Sequence, residues 1–227
     1  MSTTPNPASL LPRAERLRIT EVYVSVQGES THAGKPCVFV RLTGCNLRCT
    51  WCDSEYTFTG GEHRSIADVL AQVAAFGVHT VEVTGGEPLA QRACIELLQA
   101  LVDAGHEVLL ETSGSLSIAE VPPEVVVILD LKAPDSGECD ANHWPNIELL
   151  QPHHEVKFVL ASRRDYEWAR AQIRDHRLGE RCIVLLSPVW GQIDMAAMVQ
   201  WMLDDRLPAR MSLQQHKVIW PAAARGV

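Results

Sequence analysis

The chain has no run of about 18 or more apolar residues, the length a helix needs to cross a bilayer. Its amino terminus lacks the succession of charged, apolar and small residues that marks a secretory signal. Basic charge is also short: 20 lysines and arginines face 28 aspartates and glutamates, for a formal net charge of −8. A general binder of phosphate backbones carries a basic face that releases counterions, so this balance argues against a nucleic-acid partner and for a small molecule. No solenoid-like repeat and no low-complexity block interrupts the 227 residues.

A disulfide framework is missing as well. Seven cysteines, an odd number unevenly spread, fit a reducing compartment, and the expected location is the cytoplasm. Cys37, Cys94, Cys139 and Cys182 read as buried or incidental thiols; Cys37 and Cys182 lie in strand-like runs where small apolar packing is the default. With 46% hydrophobic and 21% charged residues, the chain is an ordinary globular protein able to bury its core without covalent help.

What is present is concentrated in one run, Gly44-Cys45-Asn46-Leu47-Arg48-Cys49-Thr50-Trp51-Cys52-Asp53-Ser54. The spacing Cys-x3-Cys-x2-Cys puts three thiols on one loop, and three thiolates on one loop suggest a metal. A structural zinc site closes its tetrahedron with four protein ligands, commonly two Cys-x2-Cys pairs, and no second pair exists here. A 4Fe-4S cube takes cysteine thiolates and, given only three, keeps one iron open. Structural thiols or a zinc knob remain the alternative at this point.

Residues 1–16, with Pro5, Pro7 and Pro12, read as a leader with little structure of its own, and 17–227 as a single domain. Apolar and polar residues alternate over 19–26 as in a half-buried strand, which delivers Gln27-Gly28-Glu29-Ser30. A second strand over 37–42 contains Arg41. A buried guanidinium needs a partner: either an internal carboxylate, with Glu29 the candidate, or the carboxylate of a substrate. Ser65 and Gly77 bracket a helix over 66–76.

The strand over 79–84 runs into Gly85-Gly86-Glu87-Pro88. Adjacent glycines there let backbone amides approach a ligand, although most such turns merely reverse a chain. Then follow a helix near 92–104, a strand over 106–111, a Thr112-Ser113-Gly114 turn with a short helical piece, and strands over 125–130, 155–160 and 182–186. Helices are expected over 164–175 and 195–203, and a final strand with a docked tail over 211–221. Asp130-Leu131-Lys132 ends a very apolar strand with two charges, as working groups of a barrel do, or as a solvated strand end does.

About six strand-helix units fall short of the eight of a complete barrel. The fold class is therefore α/β, a partial TIM-like barrel whose open side the carboxyl-terminal tail closes over the active site. Gln27, Cys45, Thr84, Glu111, Asp130 and Ser187 all lie at strand carboxyl ends, which suggests one shared face.

The three-cysteine loop with Trp51 before its last cysteine, followed by Thr84-Gly85-Gly86-Glu87-Pro88, resembles the radical S-adenosylmethionine (SAM) family. Val26-Gln27-Gly28-Glu29, Arg41-x2-Gly44-Cys45, Cys52-Asp53-Ser54, Glu111-Thr112-Ser113-Gly114 and Gln214-x-His216-Lys217 narrow the resemblance to its 7-carboxy-7-deazaguanine synthases, from about Ile19 onward. The resemblance implies a lyase that uses SAM and magnesium to convert 6-carboxy-5,6,7,8-tetrahydropterin to 7-carboxy-7-deazaguanine with loss of ammonia. In that family the open iron chelates SAM and reductive cleavage gives a 5'-deoxyadenosyl radical.

Carried over residue by residue, the resemblance implies that Cys45, Cys49 and Cys52 hold the cluster and Ser54 the magnesium. Trp51, Asp53, Gly86, Ser113, Asp130, Leu131 and Lys132 would line the SAM pocket, completed by main chain from Ser187 to Trp190. Val26, Gln27, Gly28, Arg41, Thr84 and Pro221, or a neighbour of that proline, would meet the substrate, with Arg41 on its carboxylate. It further implies a reductant such as flavodoxin and a homodimer. Ser30 stands where the family commonly has glycine, and Asp130-Leu131-Lys132 replaces a Ser-Pro-Lys of some members. A radical SAM activase acting on a protein, and a zinc-stabilised binding module, are the alternatives in other classes.

Overall fold

In the computed structural model the described residues are 16–227. The leader expected over 1–16 lies outside them but for Arg16, which opens the first strand instead. Nine strands form one open sheet: β1 (Arg16–Val26), β2 (Pro36–Leu42), β3 (Glu62–Ser65), β4 (Thr80–Gly85), β5 (Glu107–Thr112), β6 (Val126–Asp130), β7 (Glu155–Leu160), β8 (Ile183–Pro188) and β9 (Arg210–Met211). Their order is β3-β1-β2-β4-β5-β6-β7-β8-β9. From β2 to β9 every pairing is parallel, whereas β1 pairs antiparallel with both β2 and β3. The order is linear, so the barrel is partial, as its unit count foretold.

Helices cover the outer face. The helix α1 (Ile66–Phe76) begins and ends where its signals stand: Ser65 and Asp68 form a reciprocal capping box, and Gly77 closes it at φ 66°. On α2 (Ala93–Asp103), Leu97, Leu98 and Leu101 pack with Val81, Val83, Val108 and Leu110 of the sheet. Each such fully buried aliphatic side chain contributes about 2 kcal/mol. Residues of α3 (Arg163–Asp175) and α5 (Met195–Asp205) pack on Val127, Leu129, Val156, Phe158, Val184 and Leu186. The one-turn helix α4 (Leu178–Arg181) leads into β8.

The period of two in these strands decides where the chemistry goes. Odd neighbours of the packed valines and leucines face the other way, into the barrel: Arg41 on β2, Glu82 and Thr84 on β4, Glu111 on β5, Asp130 on β6 and Lys157 on β7.

Three expectations need correction. No helix forms between β5 and β6, because Pro122 and Pro123 deny the backbone donors it would need. The last strand shrinks to the two residues of β9, and Gln215–Ile219 forms a short helix, α6, tied by the Gln215 amide to the Gly28 carbonyl at 2.8 Å. Gln27 does not share the face of the other motifs. Because β1 runs against β2, with Val26 opposite Pro36, its carboxyl end lies at the amino ends of the parallel strands.

Candidate active site

A cavity of about 650 Å³ runs from the cluster loop into the barrel. Cys45, Cys49, Trp51, Cys52, Asp53 and Ser54 line its mouth with Gly86, Ser113, Asp130, Lys132 and Trp190, and Val26, Gln27, Gly28, Arg41 and Thr84 line its interior. The position of Gln27 is thereby explained: the loop after β1 closes the cavity from the opposite end. Leu131, Ser187 and Pro221 stand outside the lining. Leu131 and Ser187 are buried, and the tail reaches the cavity with Ala222 to Val227 in place of Pro221.

The mouth is built by the Gly-Gly-Glu turn. A Cβ on Gly86 would come within 2.4 Å of the Gly44 carbonyl and 2.6 Å of Cys45 Cβ, so only glycine lets the cluster loop lie against β4. The Glu87 amide donates to the Gly44 carbonyl at 2.9 Å. Its carboxylate is fully buried and accepts from Thr112 Oγ1 at 2.9 Å, the Ser113 amide at 2.7 Å, Ser113 Oγ at 2.5 Å and the Leu89 amide at 2.9 Å. One residue thus joins the turns after β4 and β5 by its carboxylate and the cysteine loop by its amide.

Arg41 is paired, and with Glu21 instead of Glu29. Register explains it, since Glu21 sits opposite Arg41 across the β1–β2 pair. Arg41 Nε donates to Glu21 Oε1 at 2.8 Å and Nη2 to Tyr23 OH at 2.9 Å; Tyr56 OH donates to the same Glu21 oxygen at 2.8 Å. Burial works against the charge, but Tyr23, Tyr56 and Glu21 together hold the guanidinium protonated.

Four ionisable groups meet deeper in: Glu29 and Glu111, which belong to motifs already read from the sequence, and Glu82 and Lys157, which sequence reading missed. Lys157 Nζ donates to Glu111 and, at 2.9 Å, to Glu29, while Gln27 Nε2 donates to Glu82. Burial, reinforced by Glu111, raises Glu82 well above the usual carboxylate range. Burial would raise Glu111 too, but the Lys157 ammonium overrides it and holds it below the ordinary value; Lys157, flanked by Glu111 and Glu29, is raised against its own burial. A signal was available: Val81-Glu82-Val83 and Val156-Lys157-Phe158 interrupt apolar strands with single charges, as Arg41 does.

The segment over 214–217 ties both ends of the cavity together. Gln214 Nε2 donates to Glu29 at 3.0 Å, Lys217 Nζ donates to Asp53 at 2.8 Å, and the His216 ring packs where a Cβ on Gly28 would lie. Burial opposes charge on Asp53, yet Lys217 brings it down to about 2. No helix among the described residues is long and apolar enough to cross a membrane.

The donor set fits the expected groups. All seven cysteines are free, and burial raises the three loop thiols, so a cation is what would draw them to thiolate. Among the described residues no three His, Cys, Asp or Glu side chains converge on a single-ion site. A tetrahedral zinc needs its thiolates about 3.8 Å apart, whereas a cube binds each cysteine through its own iron. Asp130 Oδ1 is buried without a hydrogen-bond partner while Oδ2 accepts from Lys132 at 2.8 Å, leaving an acceptor for a ligand hydroxyl. Ser54 Oγ lies 3.0 Å from Asp53 Oδ1, an all-oxygen setting that suits magnesium.

Comparison with known proteins agrees with this architecture. The Radical SAM superfamily model matches residues 39–135. A 7-carboxy-7-deazaguanine synthase of Koribacter versatilis is 44% identical over 93% of this chain and 100% of that protein. Another, from Chlorobaculum tepidum, is 46% identical over 93% of this chain and 97% of its own length. The crystal structure of QueE from Escherichia coli superposes with a TM-score of 0.76 at 22% identity, covering 94% of this chain and 100% of that one, which shows a shared fold. At the 44% and 46% identities of the two synthases, over nearly the whole of both proteins, the chain belongs to the 7-carboxy-7-deazaguanine synthase family of radical SAM enzymes.

Proposed function

We propose that the chain converts 6-carboxy-5,6,7,8-tetrahydropterin to 7-carboxy-7-deazaguanine with release of ammonia, in the synthesis of queuosine and other 7-deazapurines. One observation carries the reading: the three-cysteine mouth and a guanidinium hydrogen-bonded to Glu21 and Tyr23 share one cavity, in a chain that spans the whole of a 44% identical synthase.

Cys45, Cys49 and Cys52 would hold a 4Fe-4S cluster, with SAM bound against it; together they supply a hydrogen-abstracting radical. Trp51, Asp53, Gly86, Ser113, Asp130 and Lys132 line the space beside them, and Asp130 Oδ1 is placed to accept a ribose hydroxyl.

The remaining work falls to the chain's own groups. Arg41 has Nε and Nη2 committed to Glu21 and Tyr23, which leaves Nη1 for the substrate carboxylate. Thr84 Oγ1 sits 3.4 Å from Glu111 and would touch the ring with it. Inside, Glu82, whose burial favours the protonated form, Glu111, which Lys157 holds toward the ionised form, and Lys157 itself make a mixed set suited to the amide and amino edges of a pterin. Gln27, Gly28 and His216 wall the far end. Ser54 would take part in binding magnesium, which orients the carboxylate. A flavodoxin-like reductant, a homodimer and a cytoplasmic location complete the reading, the last supported by seven unpaired cysteines.

The test is direct. Anaerobically reconstituted and reduced protein, given SAM, magnesium and the carboxylated tetrahydropterin, yields 7-carboxy-7-deazaguanine. Cys49→Ala abolishes both cluster and product, whereas Arg41→Ala keeps the cluster and raises KM, by an amount equivalent to about 2–5 kcal/mol for a lost charge pair. A loaded cluster that cleaves SAM without forming this product would assign the chain another substrate.

A further inference from the structure

The tail beyond α6 brings a second cation to the carboxylate end of the cavity. A 2.8 Å bond from the Ala224 amide to the Pro221 carbonyl folds it into a turn, and the Arg225 guanidinium comes to rest 4.1 Å from the centroid of the Tyr56 ring. Arg225 lines the cavity shared by Arg41, Ser54 and the three loop cysteines. Tyr56 OH donates to the Glu21 oxygen that also receives Arg41 Nε, so a continuous path of contacts runs Arg225, Tyr56, Glu21, Arg41.

Arg41 is neutralised within this path by Glu21. No ion pair among the described residues engages Arg225. An uncompensated guanidinium stacked on an aromatic face keeps its hydrogen-bonding edge free and ordered, a favourable state for receiving an anion. Deeper in, the single Lys157 ammonium is shared by Glu29 and Glu111, two carboxylates to one cation, so an incoming carboxylate finds its surplus of positive charge at the Arg41 and Arg225 end.

We propose that Arg225 is a substrate-binding residue: the tail closes over the cavity and registers a second guanidinium on Tyr56, so that Arg41 and Arg225 together clamp the carboxylate of the substrate. This rests on the reading that a carboxylated tetrahydropterin is the substrate. Tyr56 serves as a positioning residue, holding Arg225 by its ring and Arg41 through Glu21.

The experiment compares Arg225→Ala, Arg225→Lys and Arg225→Glu with the wild type, each reconstituted with cluster and SAM. Arg225 is exposed and outside the core, so its replacement leaves the fold intact. Two readouts are taken: KM and kcat under reducing turnover, and equilibrium dialysis of the 6-carboxytetrahydropterin against unreduced enzyme. Loss of a charge-assisted bond predicts about a tenfold or larger rise in KM and in the dissociation constant for Arg225→Ala, with kcat within about twofold. Arg225→Lys recovers part of it, Arg225→Glu loses more, and the gap between wild type and Arg225→Ala narrows as salt is raised. A KM and dissociation constant for Arg225→Ala within twofold of wild type would overturn the clamp. Failure of the wild type itself to make 7-carboxy-7-deazaguanine would strike the substrate reading instead, so the two failures are told apart.

Discussion

Replacing Lys157 by methionine tests the charge arrangement of the barrel interior. The side chain is 6% exposed and is shared by Glu111 and Glu29. Methionine fills a similar volume, so the loss is one of charge, and two carboxylates are left facing a low-dielectric wall. Breaking a buried pair this way costs about 3–5 kcal/mol. Glu111 keeps 28% of its side chain exposed to the cavity, which places the cost near the lower end, about 3 kcal/mol. With a urea slope of about 2 kcal/mol per molar, the unfolding midpoint of cluster-free protein falls by about 1.5 M at pH 7.

The pH dependence has a definite sign. Glu111 is held below its ordinary value by Lys157, so its stabilisation is present above the unfolded carboxyl pKa and is lost as pH falls through the lower folded value. Lys157 is raised, so its own contribution is complete at neutral pH and disappears only in strong alkali. The difference between wild type and Lys157→Met is therefore present at neutral pH and narrows as pH falls through the usual glutamate range. Lys157→Met with Glu111→Gln recovers part of the loss, because one orphaned carboxylate is gone. Urea titrations followed by tryptophan fluorescence read all of this. A single variant within 0.5 M of wild type, or a gap that persists unchanged at pH 3.5, would refute the buried-pair account.

Gly86→Ala should remove the cluster while leaving secondary structure in place, since its Cβ would drive the Gly44 carbonyl and Cys45 out of position; iron and sulfide content against far-ultraviolet circular dichroism checks this. Ser30 sits at φ 58° with its Oγ accepting from the His32 amide at 3.0 Å. Ser30→Gly relieves the left-handed strain but loses that bond and loosens the unfolded chain, so stability stays within about 1 kcal/mol, whereas a β-branched Ser30→Val costs about 2 kcal/mol or more. Chemical denaturation of the two variants distinguishes them.

Ser30 also explains a departure from the family pattern. A glycine is common there because the backbone is left-handed, and this chain keeps the conformation by giving serine a local hydrogen bond. Legibility varied in the same physical way elsewhere. Helix α1 was readable to the residue because Ser65, Asp68 and Gly77 act on their own neighbours. The short polar strand β3 was not, since Glu62-His63-Arg64-Ser65 has no apolar alternation and is ordered by pairing with β1. Glu87 read as part of a ligand turn, while its fully buried carboxylate in fact joins two strand ends.

Local chemistry was determined by the chain itself: three thiols at loop spacing, glycines where backbones must approach, helix caps and strand periods all depend on residues a few positions apart. The tertiary structure alone decided the pairings across the barrel. Arg41 meets Glu21 because an antiparallel hairpin sets that register. Gln27 enters the cavity from the far end because β1 runs against its neighbours, and Lys157 finds Glu29 and Glu111 across 128 and 46 residues of chain. Such partners are chosen by which inward-facing layers of different strands coincide, and no spacing along a single segment encodes that coincidence.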